Sequence, residues 1–205
     1  MMKKKRDIQF VYFDIGGVLM HWKDILHSIV KKTGKPYEEV HAAFSIYDIR
    51  SCRGEMHPDV WGPLLGKDLG LKSSETLDIV KLSKETFRPI KETHSFLREV
   101  SKTHSVGLLT NIHLGTYDMF WNEGYIPHHH YHAVVKSCEI GLVKPQPEIY
   151  LHAQKRAKKK PEEILFIDDL LQNVEGAKRV GWNSIVFDTQ NPSKSIEEIR
   201  KYLYQ

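Results

Sequence analysis

A chain of 205 residues, 40% hydrophobic and 27% charged with a formal net charge of +4, can build one sizeable core, or a core with a small insertion, of ordinary soluble globular composition. The positive balance comes mainly from the runs at 1–6 and 155–160, which lack the interleaved aromatic residues of a nucleic-acid surface; with no long apolar stretch either, neither a nucleic-acid nor a membrane partner is expected. The apolar run after the basic start is too short for a secretory signal, and Cys52 and Cys138 have no close partner cysteine, so a reduced, cytoplasmic setting is expected.

The first predicted element is a strand over 8–13, where five of six residues are β-branched or aromatic, as suits a strand buried on both faces. It runs into Asp14-Ile15-Gly16-Gly17, whose glycines let the backbone turn close to whatever Asp14 contacts. Taken alone, Asp14 either ends a strand or stands ready as a nucleophile.

The segment 21–89 shows no convincing strand. Trp22, Ile25, Leu26, Ile29 and Val30 form a helical stripe ended by Thr33-Gly34, and Pro36 opens a second helix with Val40, Ala43, Phe44 and Tyr47 as its buried face. Gly54 and Pro58 punctuate the middle, and Ser73 or Ser74 can cap a helix carrying Leu77, Val80 and Phe87. Strands over 106–110, 133–135, 164–167 and 184–187 then alternate with helices over 95–102, 114–123, 147–157 and 173–180, and 195–204 closes the chain as a helix. The expected fold is α/β: a Rossmann-like three-layer parallel sheet built from 1–20 and 90–205, with a small helical domain inserted at 21–89.

Three further segments stand, like Asp14, at or just beyond strand ends, where open α/β sheets bind ligands. They are Thr110-Asn111 after the second strand, Lys144 between Val143 and Pro145, and Asp168-Asp169 after the strand at 164–167, with Asn173 opening the next helix. Paired acids at a strand end need a positive partner, and magnesium, a hard cation taking carboxylate, carbonyl, water and phosphate oxygens, is the natural one. Thr110, backbone amides and Lys144 then suit a phosphate, and Asp14 suits attack on phosphorus.

Asp14, Thr110-Asn111, Lys144 and Asp168-Asp169, in this order, resemble the motifs of the haloacid dehalogenase superfamily of aspartate-nucleophile hydrolases, in particular the branch with bacterial sugar-1-phosphate phosphatases and the phosphatase domain of epoxide hydrolases. The resemblance implies that 21–89 is a small helical cap and that Asp14 is both nucleophile and metal ligand. By the same resemblance Gly16 lends a backbone carbonyl to a magnesium ion, Asp169 is its further acid, and Thr110, Asn111 and Lys144 bind phosphate, Lys144 also acting in catalysis. Asp168 and Asn173 are orienting groups behind these. A small phosphorylated metabolite, such as a sugar 1-phosphate, is the implied substrate, and a monomer or weak homodimer the expected state.

Gly16 departs from the family pattern, because most of its phosphatases carry there the aspartate that protonates the leaving oxygen and then activates water. Losing such a group costs roughly 10²–10⁴-fold in rate. Either the leaving group needs little help, or another side chain takes over, with His21 the candidate, or the protein binds phosphate and turns over slowly or not at all. A 2-haloacid dehalogenase is the remaining alternative, disfavoured by Asp168 and Asp169, which halide displacement does not need. Arg50, with Arg53 or Asp48, is a candidate substrate contact from the insertion. The run His128-His129-His130-Tyr131-His132, a near-match to a phosphate loop at 62–68, and four scattered tryptophans are set aside as connecting-loop and packing features.

Overall fold

The computed structural model describes residues 7–72 and 74–204; the basic run at 1–6 and the capping candidate Ser73 lie outside the described residues. After β1 (Phe10–Phe13) the chain turns through Asp14 and Gly17 into β2 (Met20–His21). Four helices follow, α1 (Asp24–Thr33), α2 (Tyr37–Cys52), α3 (Pro58–Asp68) and α4 (Ile79–Thr86). Then β3 (Arg88–Pro89) returns antiparallel to β2, closing the stem of the helical segment. The remainder runs α5 (Lys91–Val100), β4 (Ser105–Thr110), α6 (Tyr117–Asn122), β5 (Ala133–Lys136), α7 (Ser137–Ile140), α8 (Pro147–Ala157), β6 (Ile164–Asp168), α9 (Leu171–Arg179), β7 (Asn183–Val186) and α10 (Pro192–Tyr204).

Five strands form one parallel sheet in the order β5, β4, β1, β6, β7, with helices on both faces: a Rossmann-like α/β fold. β1 lies at its centre, and the alternation of its side chains supplies both faces. Phe10 and Tyr12 pack with Tyr150, Phe166 and Trp182 on one side, while Val11 and Phe13 pack with Phe96, Leu97 and Ile199 on the other. The second cluster continues into the helical segment through Ile25, Leu26, Trp61 and Leu65. Register fixes the strand ends: Phe13 lies beside Leu108 of β4 and Ile167 of β6, so the chain leaves all three strands at nearly one level.

Element boundaries shift where the apolar pattern is silent. α5 starts at Lys91, four residues before the predicted start, because its first turn buries the polar pair Thr93 and His94; the His94 ring bonds to the Leu19 carbonyl at 3.0 Å. α6 starts at Tyr117 because Gly115, at φ +78°, breaks the turn before it. α9 starts at Leu171, an exposed residue without apolar signal, so Asn173 lies inside its first turn. α4 is capped by Asp78, whose carboxylate accepts from the Lys81 amide at 2.8 Å, and Ser74 sits in a turn outside it. The two-residue strands β2 and β3 and the four-residue α7 are too short to show a period. Among the described residues no helix is long and apolar enough to cross a membrane.

Candidate active site

Asp14 stands one residue beyond β1, its amide bonded to the Ile167 carbonyl at 2.9 Å, which continues the pairing with β6. Its carboxylate is nearly enclosed, at 7% exposure, and Oδ1 accepts from the Ile15 amide at 2.7 Å. Lys144 Nζ meets the same oxygen at 2.9 Å, Asp168 Oδ2 at 2.6 Å and the Leu109 carbonyl at 3.2 Å. Asp168, at the end of β6, has no free lone pair to offer: the Leu170 amide and the Asn173 side chain donate to it as well, at 2.8 and 3.0 Å. Asp14 Oδ2 accepts from no group among the described residues.

The charge pattern follows from burial. Burial pushes the Asp14 carboxyl up to about 7, against the pull of Lys144 and with the push of Asp168 and Asp169. For Lys144, burial works against the ammonium, but Asp14 and Asp168 outweigh it and hold the group well above its ordinary range. Asp169 is also raised, by burial first and then by Asp168. Its partner Lys23 lies at 3.6 Å and is 58% exposed, a weak, water-screened contact.

Oxygens of Asp14, Asp168 and Asp169 all lie within 4.8 Å of one another, around a single buried ammonium. Asn173 Oδ1 is buried beside them without a hydrogen-bond partner. An oxygen-only donor set with excess negative charge fits a magnesium ion, which binds one or two carboxylates and keeps its waters. The turn opposite is shaped to admit this cluster: Gly17 has φ +76°, a Cβ there would run into the Asp169 carboxylate, and the Thr189 hydroxyl donates to the Gly17 carbonyl at 2.6 Å.

Asp14, Lys144, Asp169 and Asn173 line a cavity of about 460 Å³ roofed by the helical segment. Thr110, at the end of β4, lines it too. Asn111 also lines it, but the structure gives it a different task from the expected phosphate contact. Its Nδ2 donates to the Lys144 carbonyl at 3.1 Å and its Oδ1 accepts from the Lys144 amide at 2.8 Å, so it is a two-point clamp that sets where Lys144 starts. Gly16 sits in the wall beside Asp14, and a Cβ on it would lie 3.2 Å from Trp22 Cδ1.

Two of the candidate residues stand outside the cavity wall. His21 is absent from the cavity wall: Met20 and Trp22 face inward, and on an extended chain the residue between them faces the other way. Arg50 is absent as well, held outside by Glu55 at 3.2 Å. The inward face of α2 is His41, Phe44, Ser45, Asp48 and Cys52, spaced by three and four residues, and position 50 falls off that face. Asp48, named beside Arg50, does face in. His113 was missed, although it follows Thr110 by only three residues and its Nε2 lies 2.7 Å from Asp48 Oδ1. Among the described residues the imidazoles of 128–132 join no group of three metal-ligating side chains, and His128 stacks on Trp121 at 4.6 Å.

The family model for haloacid dehalogenase-like hydrolases matches residues 11–187. The sesquiterpene phosphatase astK of Aspergillus oryzae is 30% identical over 173 residues, 82% of this chain and 84% of that protein. Rat bifunctional epoxide hydrolase 2 is 34% identical over 71 residues, and the match takes in only 13% of its length and 34% of this chain. Among solved structures, a Bacteroides thetaiotaomicron enzyme of the same superfamily, in complex with magnesium and inorganic phosphate, superposes with a TM-score of 0.71 at 20% identity, covering 89% of this chain and 95% of its own.

Proposed function

The chain belongs to the haloacid dehalogenase-like hydrolases, and from that membership we propose that it is a magnesium-dependent phosphatase of small organic monoesters, working through an aspartyl phosphate on Asp14. The observation that carries the proposal is the single Lys144 ammonium bridging Asp14 and Asp168, with the Asp169 charge left over beside it.

Asp14 attacks phosphorus through Oδ2, the oxygen no protein group occupies, and the bond from phosphorus to the alcohol oxygen breaks. Lys144 and the Thr110 hydroxyl take the phosphoryl oxygens, while Asp168 and the Asn111 clamp keep the ammonium in position. Magnesium, bound by Asp14, Asp169 and the Gly16 carbonyl, would supply charge neutralisation for the phosphoryl group. Water then attacks the phosphorus of the aspartyl phosphate, returning the Asp14 carboxylate and releasing phosphate.

The helical segment acts as the cap that selects the alcohol. Its contribution to the cavity mixes apolar side chains, Ile25, Leu26, Phe44 and Phe87, with polar ones, Tyr37, His41, Ser45, Asp48 and Ser83, and Phe120 joins them from the core. The apolar walls suit a hydrocarbon alcohol, while the polar groups could partner the hydroxyls of a sugar; the likeness to a sesquiterpene phosphatase over four fifths of each chain favours the hydrocarbon. A sugar 1-phosphate is therefore the second candidate.

The test is a panel holding farnesyl monophosphate, glucose 1-phosphate and 4-nitrophenyl phosphate, with magnesium or with chelator, on the wild type and on Asp14→Asn. We expect magnesium-dependent release of phosphate, fastest from the prenyl ester, and a loss of about 10⁴-fold in Asp14→Asn. Activity that survives this substitution defeats the nucleophile assignment. Tight phosphate binding with no turnover on any ester supports the alternative that Gly16 raises, a phosphate-binding protein without chemistry.

A further inference from the structure

A phosphatase of this design needs a proton at the leaving oxygen, and Gly16 offers none. We propose that His113, oriented by Asp48 of the helical segment, is the catalytic acid and base of the reaction. The inference rests on the phosphatase reading and adds to it a residue that lines the same cavity as the nucleophile.

Three observations carry it. His113 and Asp48 both line the cavity that holds Asp14 and Lys144. They meet at 2.7 Å, Nε2 to Oδ1, with the imidazole 16% exposed. That contact leaves Nδ1 with no partner among the described residues, as the nitrogen able to exchange a proton. An aspartate on the opposite nitrogen fixes the tautomer and the orientation of the ring, the division of labour of a His–Asp pair in hydrolases.

The ring is also held. Trp61 packs edge-on against it at 5.4 Å between centroids and Phe44 tilts over it at 6.4 Å. The backbone on either side is tied down, the Ile112 amide to the Ser137 hydroxyl at 3.0 Å and the Leu114 amide to the Ser51 carbonyl at 3.3 Å. This is the preorganisation a proton-transfer group requires.

Cys52 lies within 4.8 Å of both members, so a soft metal ion is the competing occupant. Such an ion needs a thiolate, and burial together with the Asp48 charge pushes the Cys52 thiol up, keeping its proton on. Asp48 is already engaged by the imidazole. The group works as a dyad.

The step balances. As Asp14 Oδ2 bonds to phosphorus and the phosphorus–alcohol bond breaks, the His113 imidazolium gives its Nδ1 proton to the departing oxygen and becomes neutral. Neutral His113 then takes a proton from water as that water attacks the aspartyl phosphate, and the released phosphate leaves the enzyme with its Asp14 carboxylate and imidazolium restored.

Acid help matters in proportion to how poor the leaving group is, so the readout is kcat/KM across esters of falling leaving-group quality, 4-nitrophenyl phosphate, phenyl phosphate and farnesyl monophosphate, on wild type, His113→Gln and Asp48→Asn. We expect His113→Gln to lose about 10²-fold or more on the prenyl ester and less than about 3-fold on the nitrophenyl ester. Asp48→Asn should show the same pattern at smaller amplitude and carries the test alone if His113→Gln does not fold. Phosphate affinity by calorimetry, with magnesium present, should be unchanged in both. Equal losses on all esters, or none, overturn the inference while leaving the phosphatase reading standing. A wild type inactive on every ester overturns both.

Discussion

The floor and the roof of the cavity are built by opposite means. The floor is the carboxyl edge of the sheet, where Asp14, Thr110 and Asp168 stand at or one residue past strand ends and inherit their positions from parallel register. Lys144 comes from a loop, yet the Asn111 clamp and three contacts at its Nζ give it comparable definition. The roof is one face of α2 with the ends of α1 and α4, joined by His113 from the loop after β4, and it sets apolar side chains beside His41, Ser45, Ser83 and the pair of Asp48 with His113. The floor concentrates charge that only its own members compensate, so its residues are interdependent. The side chains of the roof are not tied to one another by charge in this way, so they can vary one at a time. Under the proposed function, that difference would give phosphate chemistry to the core and the choice of alcohol to the helical segment.

Lys144→Met tests the interdependence most severely. The substitution leaves Asp14 and Asp168 buried with no cation between them, and breaking a buried pair of this kind costs about 3–5 kcal/mol. Urea unfolding monitored by far-ultraviolet dichroism should register that loss, with activity abolished. His113→Gln, from the roof, should lose only about 1 kcal/mol by the same measurement, since it gives up one hydrogen bond to a carboxylate whose side chain is 39% exposed. Equal losses at the two sites would erase the distinction.

A second break comes from pH. Burial pushes the Asp14 carboxyl up to about 7 in the folded chain, whereas unfolded it ionises near the ordinary value of 3.8. Between those values the folded state binds the extra proton, so stability contributed by this group is present at low pH and is lost as pH rises through about 7. Its slope is at most about 1.4 kcal/mol per pH unit. In chelator, the stability difference between wild type and Asp14→Asn should therefore shift against wild type from pH 5 to pH 8, and magnesium should reverse the shift by favouring the carboxylate. A difference that does not move with pH would mean that Asp14 is ionised throughout and the floor already compensated.

Much of the floor is legible in the amino-acid order because a charged residue after an unbroken apolar strand is a local signal: Phe13 into Asp14 and Ile167 into Asp168 can be read without knowing what packs where. Asn111 is legible as a polar residue at the right strand end, but its partner is a backbone 33 residues away, and nothing local distinguishes a clamp from a ligand. The roof is harder. Position 50 and position 48 are both polar residues on one helix, and only the phase set by Phe44 and Cys52 tells that Asp48 faces in and Arg50 out. His21 is near Asp14 in sequence yet turned away by strand alternation, whereas His113 is distant and turned inward. Proximity along the chain was the wrong guide, because the imidazole and its carboxylate meet only when β4 and α2 are folded together.

The smallest effect is expected where floor and roof exchange roles. Gly16 does not have a positive φ, so an aspartate there is compatible with the backbone, and its Cβ meets only the edge of Trp22 at 3.2 Å, a contact a shift of a few tenths of an ångström relieves. Gly16→Asp alone should change turnover of the prenyl ester by less than about 3-fold, since the roof already provides the proton and the gain from a second donor is far below the 10²–10⁴-fold of a first one. In the His113→Gln background the same substitution should recover part of the lost rate on poor leaving groups and none on 4-nitrophenyl phosphate. Steady-state kinetics of the two single variants and the double variant form a cycle in which the two changes are non-additive. Additive effects would mean that position 16 and His113 serve different steps, and that the acid missing from the floor is not the one the roof supplies.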